Sequence, residues 1–361
     1  MDRTPTAKGA AARGRSFCEV LRIEKRLGSV RGTGWDSSGR MPISTTLEWF
    51  QTLSCTKGAT LTSTQEATAK DLYPTRTVEP TEVFDRKGPV VYGSADNGPM
   101  DAETLQHFDD KGYIIIDQLL TQDELAQLRA ELQRLSEDAD VKADERTIVE
   151  PTSDEVRSIF EVHRTNEIMK KIANDPRIVR RAEQILGSPV YIHQSRINYK
   201  PGFAGKEFSW HSDFESWHAE DGLPEPRALS ISILLTDNYS FNGPLMIMPG
   251  SHKKFIPCVG ETPENHYKQS LKKQDIGSPD QDTLTEFADE YGIDVLEGKA
   301  GDAIMFDSNC MHASNSNITP YSRSNIFIVY NSVENSAVEP YAARSRRPEF
   351  IASTDFTPAG S

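Results

Sequence analysis

Phe208-Ser209-Trp210-His211-Ser212-Asp213-Phe214-Glu215-Ser216-Trp217-His218 is the stretch from which the rest of this chain is read. It carries a His-x-Asp pair among aromatic residues, and Met311-His312-Ala313-Ser314 brings a third candidate ligand about a hundred residues later. Two imidazoles and one carboxylate form the facial set that holds non-haem Fe(II) and leaves half an octahedron open for a co-substrate and dioxygen. In an extended segment residues i and i+2 share a face, so His211 and Asp213 are expected to reach one ion while Ser212 turns away. His312 follows Gly301-Asp302-Ala303-Ile304-Met305-Phe306-Asp307, which reads as a strand entering a loop. Ligands this far apart in sequence call for a fold that lays separate strands side by side.

The spacing alone is a weak signal. His107-Phe108-Asp109 repeats it inside a helical pattern, where i and i+2 do not face each other. His218-Ala219-Glu220 is a second competitor, and His218 reads there as a surface or pocket residue. Imidazole also suits Zn, Cu and Ni. A zinc hydrolase fits least, because no motif places a general base.

Outward from the motif, the text is helical first and β afterwards. Gly112-Tyr113-Ile114-Ile115-Ile116-Asp117 is a short buried-strand pattern. Thr121-Gln122-Asp123-Glu124 is a capping box, and Leu125, Leu128, Leu132 and Leu135 follow at helical spacing. A second helix is bracketed by Asp175-Pro176 and Gly187. Strands are then expected at Val190 to Lys200, Ala228 to Leu235, Pro244 to Met248, Gly301 to Phe306 and Ser324 to Tyr330. Strands of even length behind a helical half predict a jelly-roll barrel flanked by helices. The polar span from Lys253 to Leu296, helical near Thr283 to Tyr291, reads equally as a lid or as a solvated loop.

The 361 residues, 37% of them hydrophobic, suffice for one catalytic domain with an appendage. A net charge of −14 argues against nucleic-acid and anionic-membrane partners and fits a soluble cytoplasmic protein. Cys18, Cys55, Cys258 and Cys310 lack metal or redox spacing and read as reduced, structural thiols. Residues 1–68 lack hydrophobic periodicity, and the first 40 hold nine Lys/Arg against four Asp/Glu. We read 1–68 as a disordered extension and 69–361 as the folded domain. The amino end also resembles an organelle transit peptide. A dispensable extension, or a start codon placed too early with Met41 or later as the true start, is the preferred reading.

Extended to its full length, Phe208-x-Trp210-His211-Ser212-Asp213-Phe214-Glu215-x-Trp217-His218-x-Glu220-Asp221-Gly222-x-Pro224, followed by Arg227-Ala228-Leu229-Ser230, resembles the signature of the ectoine hydroxylases. These form a branch of the phytanoyl-CoA hydroxylase-like Fe(II)/2-oxoglutarate dioxygenases. His193-Gln194-Ser195-Arg196-Ile197-Asn198, Asn242-Gly243-Pro244-Leu245, Pro249-Gly250-Ser251-His252 and Asp71-Leu72-Tyr73-Pro74-Thr75-Arg76 are similar too. The likeness runs from about residue 69 to the carboxyl end. Ser216, Leu223 and Pro226 stand where the family usually has Thr, Met and Met, changes that bear on substrate preference more than on reaction class.

The resemblance implies a mainly β double-stranded β-helix (jelly-roll, cupin-like) core with flanking helices. It implies Fe(II) on His211, Asp213 and His312, with 2-oxoglutarate and dioxygen as co-substrates. The far carboxylate of 2-oxoglutarate would meet Arg323, whose planar fork offers two parallel hydrogen bonds. Phe208 and Ser314 would line the same site, and Lys200 and Asn198 are grouped with it. Gln194, Trp217 and Asn325 match family contacts to the substrate, ectoine, a small cyclic amidinium carboxylate. Gln194 shares a strand face with Arg196, Asn198 and Lys200, a polar row that fits a lined pocket. The implied reaction turns ectoine into 5-hydroxyectoine, succinate and carbon dioxide, in a homodimer. Two alternatives stay open: the same chemistry on a proline-like or acyl-CoA compound, and a jelly-roll binding module that merely retains a metal.

Overall fold

The structure, a computed structural model, describes residues 70–150, 154–270 and 276–360. The extension at residues 1–68 lies outside the described residues, as do Cys18 and Cys55. Two antiparallel sheets carry the site. The larger has the order Tyr113–Ile116, Ala303–Asp307, Ala228–Leu234, Arg323–Ser332, Val190–Lys200, Val156–Phe160, Thr147–Val149. The smaller has the order Asp294–Leu296, Leu245–Ile247, His312–Ser314, Phe208–His211.

Strand alternation divides the larger sheet into two faces. Ile231, Ile233, Ile197, Ile326 and Ile328 join Leu125, Leu128 and Leu132 of helix Gln122–Glu137 and Ile178, Ala182 and Ile185 of helix Pro176–Leu186 in one cluster. Burying each such side chain contributes roughly 1.5–3 kcal/mol. Leu234, Ile304, Phe306 and Phe327 instead pack against Leu245, Ile247 and Leu296 of the smaller sheet. The expected jelly roll flanked by helices is therefore the fold.

Local signals act as the sequence predicts. Thr121 and Glu124 close a reciprocal capping box. Asp175 caps the helix opened by Pro176, and Gly187, at φ 64°, ends it. The span from Lys253 to Leu296 is not a bare loop. Lys254–Phe255 pairs with Phe84–Asp85, Gln281–Tyr291 is helical with Phe287 buried beside Met248, Ile256 and Met311, and Asp294–Leu296 joins the smaller sheet.

Candidate metal and co-substrate site

His211 is the last residue of strand Phe208–His211, and Asp213 opens helix Asp213–Ser216. The expectation of one continuous extended segment is corrected here: Ser212 turns away because its hydroxyl caps the helix, accepting from the Glu215 amide. His312 does not lie in a loop; it begins strand His312–Ser314, which pairs directly opposite His211. Ligand atoms of His211, Asp213 and His312 lie within 4.8 Å of one another. His211 Nε2 is 3.6 Å from Asp213 Oδ1, and His312 Nε2 is 3.9 Å from Asp213 Oδ2.

The tautomers are set by the backbone. His211 Nδ1 donates to the Ser209 carbonyl at 2.7 Å, and His312 Nδ1 donates to the Cys310 carbonyl at 2.9 Å. Each ring therefore presents the Nε2 lone pair to the shared space. Burial and the neighbouring His211 push His312 down to about 4, so it is neutral near pH 7. Burial alone would raise Asp213, but His312, His211 and Arg196 outweigh it and hold the carboxyl below its usual range. Two imidazoles that each present Nε2, with one ionised carboxylate, fit a divalent transition ion, and Fe(II) above all among ions needing open positions.

At one side of this face stands a set of cations. Arg323 is 4% exposed, its Nε is buried without a partner, and burial pushes its guanidinium down to about 10. Lys200, directly cross-strand from Arg323, donates to Ser314 Oγ at 2.9 Å and to the Asn315 carbonyl. Burial, Arg323 and Arg157 push Lys200 down to about 6. Phe208 carries the Arg157 guanidinium over its ring at 4.5 Å. Asn325 is not on the cavity wall; with its amide oxygen turned inward it accepts from Ser232 Oγ and from Arg323 Nη1 at 3.2 Å. Its place in the structure is beside Arg323.

The cavity in front of the metal ligands is walled by Gln194, Arg196, Asn198, Phe208 and Trp217. It also takes in Ser158, Phe160, Glu220, Ile276 and Arg347, which sequence reasoning missed. Ser158 and Phe160 come from strand Val156–Phe160, where Arg157 and Ser158 interrupt the apolar run and hide the strand pattern. Arg347 sits in a charged tail without periodicity, so no sequence signal marks it. Trp217 and Glu220 both reach the wall because Trp217–Asp221 is a π-helical turn, ended by Gly222 at φ 82°.

The remaining charges of the signature are struts. Glu215 accepts from Arg76 Nε at 2.6 Å and from Thr75 Oγ1 at 2.7 Å, and Glu220 meets Arg76 at 3.2 Å. Asp221 binds Arg347 and lies 3.1 Å from His193 Nε2. His218, expected at the surface or in a pocket, is fully buried and does not line this cavity: its Nδ1 donates to the Leu223 carbonyl at 2.8 Å, Nε2 meets Asp71 at 3.0 Å, and Tyr341 stacks on the ring.

A jelly roll that brings two imidazoles and a carboxylate onto one open face is the architecture of the non-haem iron, 2-oxoglutarate-dependent dioxygenases. Residues 108–325 match the phytanoyl-CoA dioxygenase (PhyH) family. An ectoine dioxygenase of Streptomyces coelicolor is 58% identical over 298 residues, 82% of this chain and 99% of that relative. The crystal structure of EctD from S. alaskensis with 2-oxoglutarate and 5-hydroxyectoine is 42% identical, with a TM-score of 0.71 over 79% of this chain and 95% of that one. The same enzyme with bound Fe gives 42% and 0.70, over 80% and 97%. The chain belongs to the phytanoyl-CoA dioxygenase family, in its ectoine dioxygenase branch.

Proposed function

We propose that this protein hydroxylates ectoine to 5-hydroxyectoine with Fe(II), 2-oxoglutarate and dioxygen. The observation that carries the reading is the open ligand face of His211, Asp213 and His312 beside buried Arg323, whose Nε has no partner among the described residues. The near full-length likeness to ectoine dioxygenases supports the substrate. Iron bound there with its co-substrates supplies the oxidation of an unactivated C–H bond, with succinate and carbon dioxide as co-products.

The chain's own residues do the rest. His211, Asp213 and His312 hold the ion. Arg323 takes the far carboxylate of 2-oxoglutarate, with Lys200 and Ser314 beside it, Phe208 against its carbon chain and Asn198 on the adjoining wall. Trp217 offers an aromatic face to the cationic amidinium of ectoine, and Gln194, fixed by donating to the Ile351 carbonyl at 2.7 Å, offers a polar anchor. Asn325, expected at the substrate, acts on the co-substrate instead, from behind, by orienting Arg323. Ile276, from the span between Lys253 and Leu296, lines the cavity and screens it from water.

The protein works as a cytoplasmic homodimer in compatible-solute synthesis under osmotic stress. Consistent with this, no helix among the described residues is long and apolar enough to cross a membrane. Succinate release measured with and without ectoine tests the reaction. Ectoine-dependent succinate, matched by a product heavier by one oxygen and lost in His211→Ala, is expected. Succinate release indifferent to ectoine would discard the substrate.

A further inference from the structure

Ile276 is the one aliphatic side chain among the described residues that line the cavity; the other apolar walls are the rings of Phe160, Phe208 and Trp217. Its support is a backbone seat. The next residue, Gly277, is buried at φ 80°, and its Cα lies against the Arg76–Glu215 ion pair. A Cβ there would fall 2.5 Å from Arg76 Nη2 and 2.7 Å from Glu215 Oε2. Neither group is free to step aside, because the two hold each other through bonds of 2.6 and 2.9 Å and each side chain is 1% exposed. Glycine alone combines that φ with so close an approach.

The seat also fixes which wall Ile276 belongs to. Glu215 lies in helix Asp213–Ser216, immediately before Ser216 and Trp217. Arg76 Nη2 reaches Ser216 Oγ at 3.5 Å and Glu220 at 3.2 Å, and its Nη1 reaches Thr262 Oγ1 at 3.3 Å. Ser216, Trp217 and Glu220 all line the cavity. Ile276 therefore enters from the side of the aromatic wall, and not from the strands that carry Arg323, Lys200 and Ser314.

We propose that Ile276, seated by Gly277 on the Arg76–Glu215 pair, is a specificity-determining residue that gauges the size of the substrate ring. The inference rests on the function proposed above. The charged groups of a cyclic amidinium carboxylate are answered by polar walls and by Trp217, but its ring methylenes gain nothing from them. An aliphatic wall is where those carbons leave water and pack. Because the wall is held through the backbone against a locked ion pair, a ring one methylene larger meets overpacking instead of a yielding side chain.

The test uses anaerobic protein loaded with iron and 2-oxoglutarate, and calorimetric affinities for ectoine and for its ring-expanded homologue, one methylene larger. The readout is the ratio of the two affinities. Ile276→Ala is expected to lower the preference for ectoine roughly tenfold, the scale on which an apolar pocket weighs one methylene, and Ile276→Val should fall between. Gly277→Ala keeps Ile276 and removes its seat, so it should lower the ratio as well. The affinity of iron-loaded protein for 2-oxoglutarate should stay within about twofold of wild type in both Ile276 variants. A ratio within about twofold of wild type in Ile276→Ala overturns the inference. So does an equal loss for both rings, which marks general packing, or a matching loss for 2-oxoglutarate, which moves Ile276 to the co-substrate. Melting temperatures show whether each variant is folded; a folded Gly277→Ala with an unmoved ratio overturns the seat, and the two Ile276 variants decide if Gly277→Ala does not fold. Wild-type protein that binds 2-oxoglutarate and neither ring contradicts the substrate reading and this inference with it, whereas wild type that binds ectoine, with an unmoved ratio in the variants, contradicts this inference alone.

Discussion

Arg76 and Arg323 are almost equally hidden, 6% and 4% exposed, yet Arg76 lies between Glu215 and Glu220 and Arg323 meets no carboxylate among the described residues. Burial works against the charge at both. At Arg76 the two glutamates outweigh it and raise the guanidinium above its usual range, whereas at Arg323 burial prevails. The difference separates two tasks for one residue type. Where a guanidinium ties segments together, the chain supplies its counter-ion. Where a ligand is to bring the anion, the chain withholds it and accepts the cost in the ligand-free protein.

The largest effect is expected at the paired side. Arg76→Met strands Glu215 in the interior and should lower unfolding free energy by about 3–5 kcal/mol in chemical denaturation. A loss near zero would remove the strut assignment. Arg323→Met should do the opposite, leaving ligand-free stability at or above wild type while weakening 2-oxoglutarate roughly 10- to 100-fold by calorimetry. A smaller change is expected at Lys200, which sits beside Arg323 and forms no ion pair among the described residues. Its folded value near 6 lies below the ordinary 10.5, so between those pH values the unfolded chain binds the extra proton and stability rises with pH. Lys200→Met should flatten this slope, and denaturation midpoints across that window will show whether it does. Last, Arg134 pairs with Glu131 on a half-exposed helix face, and Arg134→Ala should leave the midpoint unmoved.

The same contrast explains what the sequence disclosed. Periodic burial is legible, so both capped helices and the strands at Val190–Lys200, Ala228–Leu234 and Arg323–Ser332 stand where alternation and turns place them. The ligands His211, Asp213 and His312 were legible because their residue types are scarce and their chemistry narrow. The short strand His312–Ser314 was not, because it lacks the apolar run that marks the equally short Tyr113–Ile116 and Leu245–Ile247. Charge pairing was the least legible of all. Nothing in Phe214-Glu215-Ser216-Trp217-His218 distinguishes a carboxylate that grips Arg76 from one that faces a ligand, because the partner comes from 139 residues away. The π-helical turn at Trp217–Asp221, which aims Trp217 and Glu220 together, likewise follows from tertiary packing under Gly222.

Thermal melting of iron-loaded protein with and without 2-oxoglutarate, on wild type, Arg76→Met and Arg323→Met in parallel, tests the division between the two arginines most directly. A ligand that binds only the folded state raises the melting point. Arg76→Met should melt well below wild type and keep the full upward shift on adding 2-oxoglutarate. Arg323→Met should melt no lower than wild type and show almost no shift. An Arg323→Met protein that melts low and retains the shift would contradict the assignment of Arg323 to the co-substrate, and with it the rule that unpaired buried cations here mark the ligand sites.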